Sequence, residues 1–349
     1  MKFWYLVLGG VLIVGVVYLL VPNSIFDGGQ EGKLVKEDNI SIKEEGDKII
    51  EDLIQPQQPA TKIYKSAEEA FNAVKEAAKK YDIEVLERFS LLEGCAWCEE
   101  FYEMVRKELV KENLSEEEKA YLCELLTSSG NPSDIDYLIE LYESSTSDSD
   151  KEIYLRSLEM TVANDKVLDK LFEKYNEKKD NQALRDSIVA ALTVQGSAKS
   201  IEYLYSIAEA QDNPLSDVEK ALGLSEAIPS DEALGFLEDK LQKGDGKLDF
   251  VISAAILNNG VQGLKLFMDL LQSPVAQRLS NHFEKLVDHV PYDEEIKSYL
   301  NYVKEKGSDS QKVFANKVLS AFEIIQAELE KEEAADEEFP EEELDATQE

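Results

Sequence analysis

A recurring two-helix unit constrains this chain more than any other feature. Between Gln182 and Ala208 the sequence reads as a helix, a break at Gly196, a cap at Ser197 and a second helix. Leu184, Ile188, Ala191 and Leu192 share one face of the first helix; Ile201, Leu204 and Ala208 share one face of the second. Glycine accepts the left-handed backbone that ends a helix, and serine caps the orphan N–H groups that start the next. Such a pair cannot bury its apolar stripes alone, so it must stack on copies of itself.

The copies are present. Successive second-helix rows are Tyr102/Val105/Leu109, Ile135/Leu138/Tyr142, Leu168/Leu171/Tyr175, Ile201/Leu204/Ala208, Leu234/Leu237/Leu241, Leu264/Phe267/Leu271 and Ile296/Tyr299/Val303. The alternate helices keep the same spacing, with anchors at Leu125, Leu158, Ala191, Leu224, Ala254, Leu286 and Leu319. Three residues earlier stand Leu122, Leu155, Ile188, Ala221, Val251, Phe283 and, out of pattern, Asn316. Helix enders (Gly130, Ala163, Gly196, Pro229, Asn259, Pro291) and N-cap positions (Asn131, Asn164, Ser197, Ser230, Gly260, Tyr292) fall in fixed columns too. Residues 66–94 read as a degenerate first unit whose second helix runs from Ile83 to Leu92.

At these residues, most clearly at Leu184–Leu204, the chain resembles HEAT-like repeat proteins of the short bacterial type. The resemblance covers roughly 66–327 and is more specific for helical hairpins than for the family. The tetratricopeptide repeat is the next nearest pattern, but its Trp-Leu-Gly-Tyr signature is missing; ankyrin's TPLH-like segments are absent as well. The resemblance implies a stacked superhelix that binds extended protein partners. Some HEAT-like proteins are chromophore lyases, and no residue here supports that chemistry.

The first 21 residues form a separate segment. Phe3–Val21 is apolar or glycine throughout, and as a helix it would span roughly 28 Å, close to a bilayer's hydrocarbon core. Lys2 precedes it, and Asp27 and Glu31 are the first charges after it, which places the N-terminus in the cytoplasm. A cleaved signal peptide is the competing reading; the length of the run and the lack of an A-x-A-like site favour an anchor. Residues 22–65, with Gln55-Pro56-Gln57-Gln58-Pro59, read as a flexible linker. Residues 328–349 hold twelve acidic residues and one lysine and read as a disordered acidic tail. The net charge of −35 argues against nucleic acid and for partners with a basic surface.

Chemistry-bearing residues are few. Cys95-Ala-Trp-Cys98 places Cys98 at an N-cap position by the column count. The pair reads as a disulfide or two small buried thiols at a turn; the competing reading is a thiol–disulfide site, since a helix start favours thiolate. No βαβ pattern surrounds the motif, Glu99 rules out haem attachment, and Glu99 and Glu100 oppose a thiolate. Cys123 reads as core. His282 and His289, seven apart about Leu286 on one helix, read as ordinary surface or half-buried residues rather than ligands. Tyr137, Tyr203 and Tyr205 lie off the columns and are either half-buried packing or exposed interface anchors.

These readings combine into an all-α chain: an α-solenoid of about seven to eight hairpins over 66–327, after a transmembrane helix (1–21) and a linker (22–65). The expected role is a non-catalytic, membrane-anchored binding scaffold of the cell envelope, with no cofactor or metal. Its array would lie across the membrane, in the periplasm of a Gram-negative cell. The alternatives are a thiol–disulfide protein using Cys95 and Cys98, or an accessory subunit of an envelope assembly or secretion complex.

Overall fold

Helical periodicity becomes helix wherever the chain is described. The computed structural model describes residues 60–92, 95–210 and 223–337, all within one unit that begins at residue 57. No strand occurs among them. The transmembrane expectation for 3–21 and the end of the acidic tail, 338–349, lie outside the described residues; among the described residues no helix is long and apolar enough to cross a membrane.

The elements are α1 (Ala60–Ile63), α2 (Ala67–Ala78), α3 (Ile83–Glu87), α4 (Cys98–Leu109), α5 (Glu116–Thr127), α6 (Pro132–Ser144), α7 (Asp148–Glu159), α8 (Asp165–Glu177) and α9 (Gln182–Gln195). They continue as α10 (Ala198–Glu209), α11 (Gly223–Glu226), α12 (Asp231–Lys243), α13 (Asp249–Asn258), α14 (Val261–Leu270), α15 (Ala276–Ser280), α16 (Phe283–Leu286), α17 (Glu294–Lys306) and α18 (Asp309–Glu337). Leading helices α5, α7 and α9 pack in sequence on one another, as do trailing helices α6, α8, α10 and α12. The result is a repeat-like helical array. All seven anchors are buried, and of the second-helix rows only Tyr142 and Tyr299 are half-exposed.

The turns explain why the period is kept so strictly. Gly196 has φ +58°, and a Cβ there would meet the Ile228 carbonyl oxygen at 2.1 Å. Backbone from the next unit therefore occupies the space a side chain would need, and the Ser230 N–H donates to Gly196 O at 2.7 Å. The same joint recurs at each turn with different chemistry. Leu91 N–H donates to Ser128 O at 2.7 Å, and Asn164 Nδ2 to Gly130 O at 2.8 Å. Gln195 Nε2 donates to Thr161 O at 2.6 Å while its Oε1 accepts from Ala163 N–H. Asn258 and Asn259 donate to the carbonyls of Ala227 and Pro229. A rail of turn-to-turn hydrogen bonds thus runs from residue 91 to residue 259. Each bond contributes on the order of 1 kcal/mol net, and an unpaired carbonyl there would cost more.

The structure departs from several expectations. The linker ends early: Ala60 is fully buried, its N–H donates to Arg88 O, and Tyr64 stacks on Phe89. The second helix of the first unit stops at Glu87, because Leu91 turns to φ +46° to reach Ser128. Asp293, not Tyr292, caps α17. His282 and His289 do not share a helix; the segment breaks into α15, α16 and a 3₁₀ turn at Val287–His289. The reason is α13, whose Val251–Leu257 is buried on every side and needs covering by short pieces that wrap it. The helix expected to end near residue 327 continues as α18 to Glu337.

Gly235, by contrast, sits in the exposed interior of α12 with nothing within 4 Å of a built Cβ. Gly235→Ala should raise stability by about 0.5–1 kcal/mol, whereas Gly196→Ala should lower it by more than about 1 kcal/mol. Urea unfolding midpoints of the two variants, read by circular dichroism, should move in opposite directions.

Candidate functional site

Cys95 and Cys98 stand where the chain enters α4. They are joined as a disulfide with Cα atoms 5.4 Å apart, and both are half-buried. The Cys98 N–H donates to Cys95 O at 3.4 Å, a turn that makes Trp97 the N-cap and Cys98 the first helical residue, one position later than the column count expected. The Trp97 ring stands edge-on to Phe101, inside an aromatic group that continues through Phe89 and Tyr102. Cys123 is fully buried on α5, and burial pushes its thiol far above the ordinary value.

The two histidines come together on one ring rather than one helix. His282 and His289 lie 6.1 and 5.7 Å from the Phe250 ring centroid, and His289 Nδ1 is 3.3 Å from Asn258 Oδ1. Burial pushes both imidazoles below the ordinary histidine value; Asp249 opposes this at His282 and Asp288 at His289. Beside them the buried Asp249 is held by Arg278, at 3.0 Å from Nε. Among the described residues, no group of three or more His, Cys, Asp or Glu is placed to hold a metal ion.

The tyrosines singled out by sequence are packing residues. Tyr205 is buried, so the exposed-anchor reading fails there; its hydroxyl donates to Glu209 and Lys240 lies 4.5 Å over its ring. Half-buried Tyr203 stacks on Phe172 at 4.2 Å and bonds Asp169, and half-buried Tyr137 donates to Arg106 O at 2.9 Å. Tyr137 and Tyr203 link their units to the previous one, and Tyr205 links its unit to the next.

Ion pairs repeat the same theme. Arg106 reaches forward to Asp134, with Nη2 2.6 Å from its carboxylate. Lys170 and Lys174 both reach back to Asp136, Lys178 to Glu143, and Lys199 to Asp169. Burial pushes the Asp134 carboxyl up, while the Ser129 hydroxyl and Arg106 oppose the push. A groove of about 400 Å³ between α2, α4 and α5 is lined by Lys75, Lys79, Glu108 and Leu114 among others. Its charges are already engaged: Glu108 with Lys75 and Lys111, Lys79 with Glu76, and Glu118 with the Ser115 N–H.

What remains without such engagement is apolar. Leu91, Met160, Val162, Val194 and Ile228 are exposed, Val194 and Ile228 at 62% and 64%. Met160, Val162 and Ile228 lie in the turns between leading and trailing helices, Val194 in the last turn of α9 just before such a turn, and Leu91 between α3 and α4, along the edge where the rail of hydrogen bonds runs. The only sequence signal for them was an apolar residue at a helix break, outside the stripes that build the core.

No family model matches the chain, and no curated protein does either.

Two outcomes follow. Alkylation of native, non-reduced protein should label no cysteine; unfolding without reductant should add one label, at Cys123, and reduction should bring the count to three by mass mapping. Two labels on native protein would mean that Cys95 and Cys98 are free thiols. Because burial favours the neutral histidines, their contribution to stability is full above pH 6.5 and is lost as pH falls toward the depressed folded value. Unfolding midpoints measured from pH 7.5 down to 5 should therefore fall less for a His282→Gln/His289→Gln variant than for wild type.

Proposed function

We propose that this chain is a non-catalytic protein-binding scaffold of the cell envelope: an α-solenoid of HEAT-like hairpins tethered to a membrane by Phe3–Val21. The observation that carries the reading is the exposed apolar row Leu91, Met160, Val162, Val194 and Ile228. A monomer gains nothing from such a row, and the hydrogen-bonded turns beneath it hold the side chains at a repeating spacing along one edge. Rigid presentation lowers the entropy lost on association, which suits an extended partner laid along several units. The array then works as a ruler, with contacts offered by several of its units.

The apolar N-terminal run supports a location as well as a tether. With Lys2 before the run and acids after it, the array would lie outside the cytoplasm, in the periplasm of a Gram-negative cell, where it could serve as an accessory subunit of an assembly or secretion complex. That location also suits a Cys95–Cys98 disulfide. A second reading, thiol–disulfide exchange by this pair, is supported by its half-buried place at the start of α4. The reduction potential separates the two, since a bond below about −300 mV is structural.

Val194→Asp/Ile228→Asp should leave the circular dichroism melt unchanged, because both side chains are exposed. In pull-downs from detergent extract the double variant should lose at least one partner that wild type retains; identical partner profiles would overturn the rim as the binding edge. Removal of residues 1–21 should release the array from the membrane fraction on carbonate extraction, and retention would overturn the tether.

A further inference from the structure

The final helix is longer than anything available to cover it. α17 has 13 residues and α18 has 29, and the two form an antiparallel hairpin about Gly307 and Ser308. Their contact ends where Tyr292 meets Phe322, with ring centroids 5.0 Å apart, and where Lys297 reaches Gln326 at 3.3 Å. Beyond Gln326 eleven residues of helix, roughly 16 Å, continue to Glu337.

The apolar pattern does not stop with the cover. Ala315, Val318, Phe322, Ile325 and Leu329 follow the alternating three–four spacing of a coiled-coil seam. The first three are buried against the array, at 0, 0 and 2% exposure. Ile325 and Leu329 continue the same stripe at 38 and 45%, with Ile324 beside them at 62%. A lone helix of this length is marginal in water, and its composition adds to the difficulty. Residues 323–337 hold seven acids and one lysine, and the macrodipole already concentrates negative charge at the helix C-terminus.

The geometry points to a docking site on α18, centred on Ile325 and Leu329, for a basic amphipathic helix of a partner protein. Charge selects this occupant. Glu328 flanks the seam, in a stretch that the sequence makes strongly acidic. A second copy aligned in parallel would set these acids against one another, and an anionic bilayer would repel them. A partner helix with two or three apolar seam residues, running on into lysine or arginine, would cover the stripe and neutralise the helix end together. This surface is distinct from the rim of turns and can succeed or fail independently of it.

The experiment uses the full chain carrying a photo-crosslinking residue in place of Leu329, irradiated in its own cells, with the adduct mapped by mass spectrometry. The expected adduct is a segment of another protein with apolar residues at three–four spacing flanked by lysine or arginine. A synthetic peptide of that segment should bind wild type at least about tenfold more tightly than Ile325→Ser/Leu329→Ser, which keeps the wild-type melt, and its affinity should fall steeply with salt. Val194→Asp/Ile228→Asp should bind the peptide as wild type does, which separates this site from the rim. An adduct to residues 318–337 of a second copy, to lipid or to an acidic segment would overturn the inference. So would the absence of any adduct, or equal affinity for the seam variant.

Discussion

Close backbone approach between consecutive turns holds this fold in register. At Gly196 the carbonyl of Ile228 fills the place of a side chain, and the Ser230 N–H closes the joint from the other side. A hairpin one residue longer or shorter would lift the next turn out of reach and strand a buried carbonyl. Strict spacing in the middle of the chain is therefore a consequence of polar satisfaction at the turns, and the apolar stripes inherit it. Where the rail reaches α13 the spacing relaxes, and there the covering helices break into short pieces.

The acid excess is distributed by the same stacking. Lysines and arginines are about half as numerous as acids, and several of those on the helices bridge neighbouring units rather than residues of one helix. Exposed pairs of this kind add little stability each. Their larger effect is on the surface, since a cation tied to Asp136 or Asp169 is no longer available to screen the remaining carboxylates. The array so presents apolar residues on a predominantly acidic body, which bears on the chemistry of whatever binds it.

Interiors in this molecule are occupied by packing, and apolar side chains stay open at its edges. Tyr137, Tyr203 and Tyr205, both histidines and the Arg106–Asp134 pair are engaged with neighbouring units, and Cys123 is fully buried. Singly exposed residues such as Ile83, Val110 and Val313 aside, open apolar side chains gather at two places, the turn rim and the projecting part of α18. Both are positions where the stack cannot supply a cover, one because turns end the helices and the other because the array ends.

The period, the anchors, the helix enders and most caps were legible in the sequence, because each repeats in a fixed column and obeys a local rule. Local rules also located the aromatic and cysteine residues near α4. They did not reveal that Asn164 would cap α8 with one end of its amide and reach Gly130 with the other, or that Gln195 and Asn258 would join turns one unit apart. Gln195 and Asn258 sit between columns, the column of Asn164 foretells only its cap, and all three reach partners about thirty residues away. Nor could spacing alone separate exposed from buried tyrosines, or show that the seam of α18 outruns its cover. Sequence determined which residues form helices and which faces of them are apolar, since both depend on neighbours within a turn or two. Only the tertiary structure decided which of those faces remain open, because that depends on where the stacked neighbours begin and end.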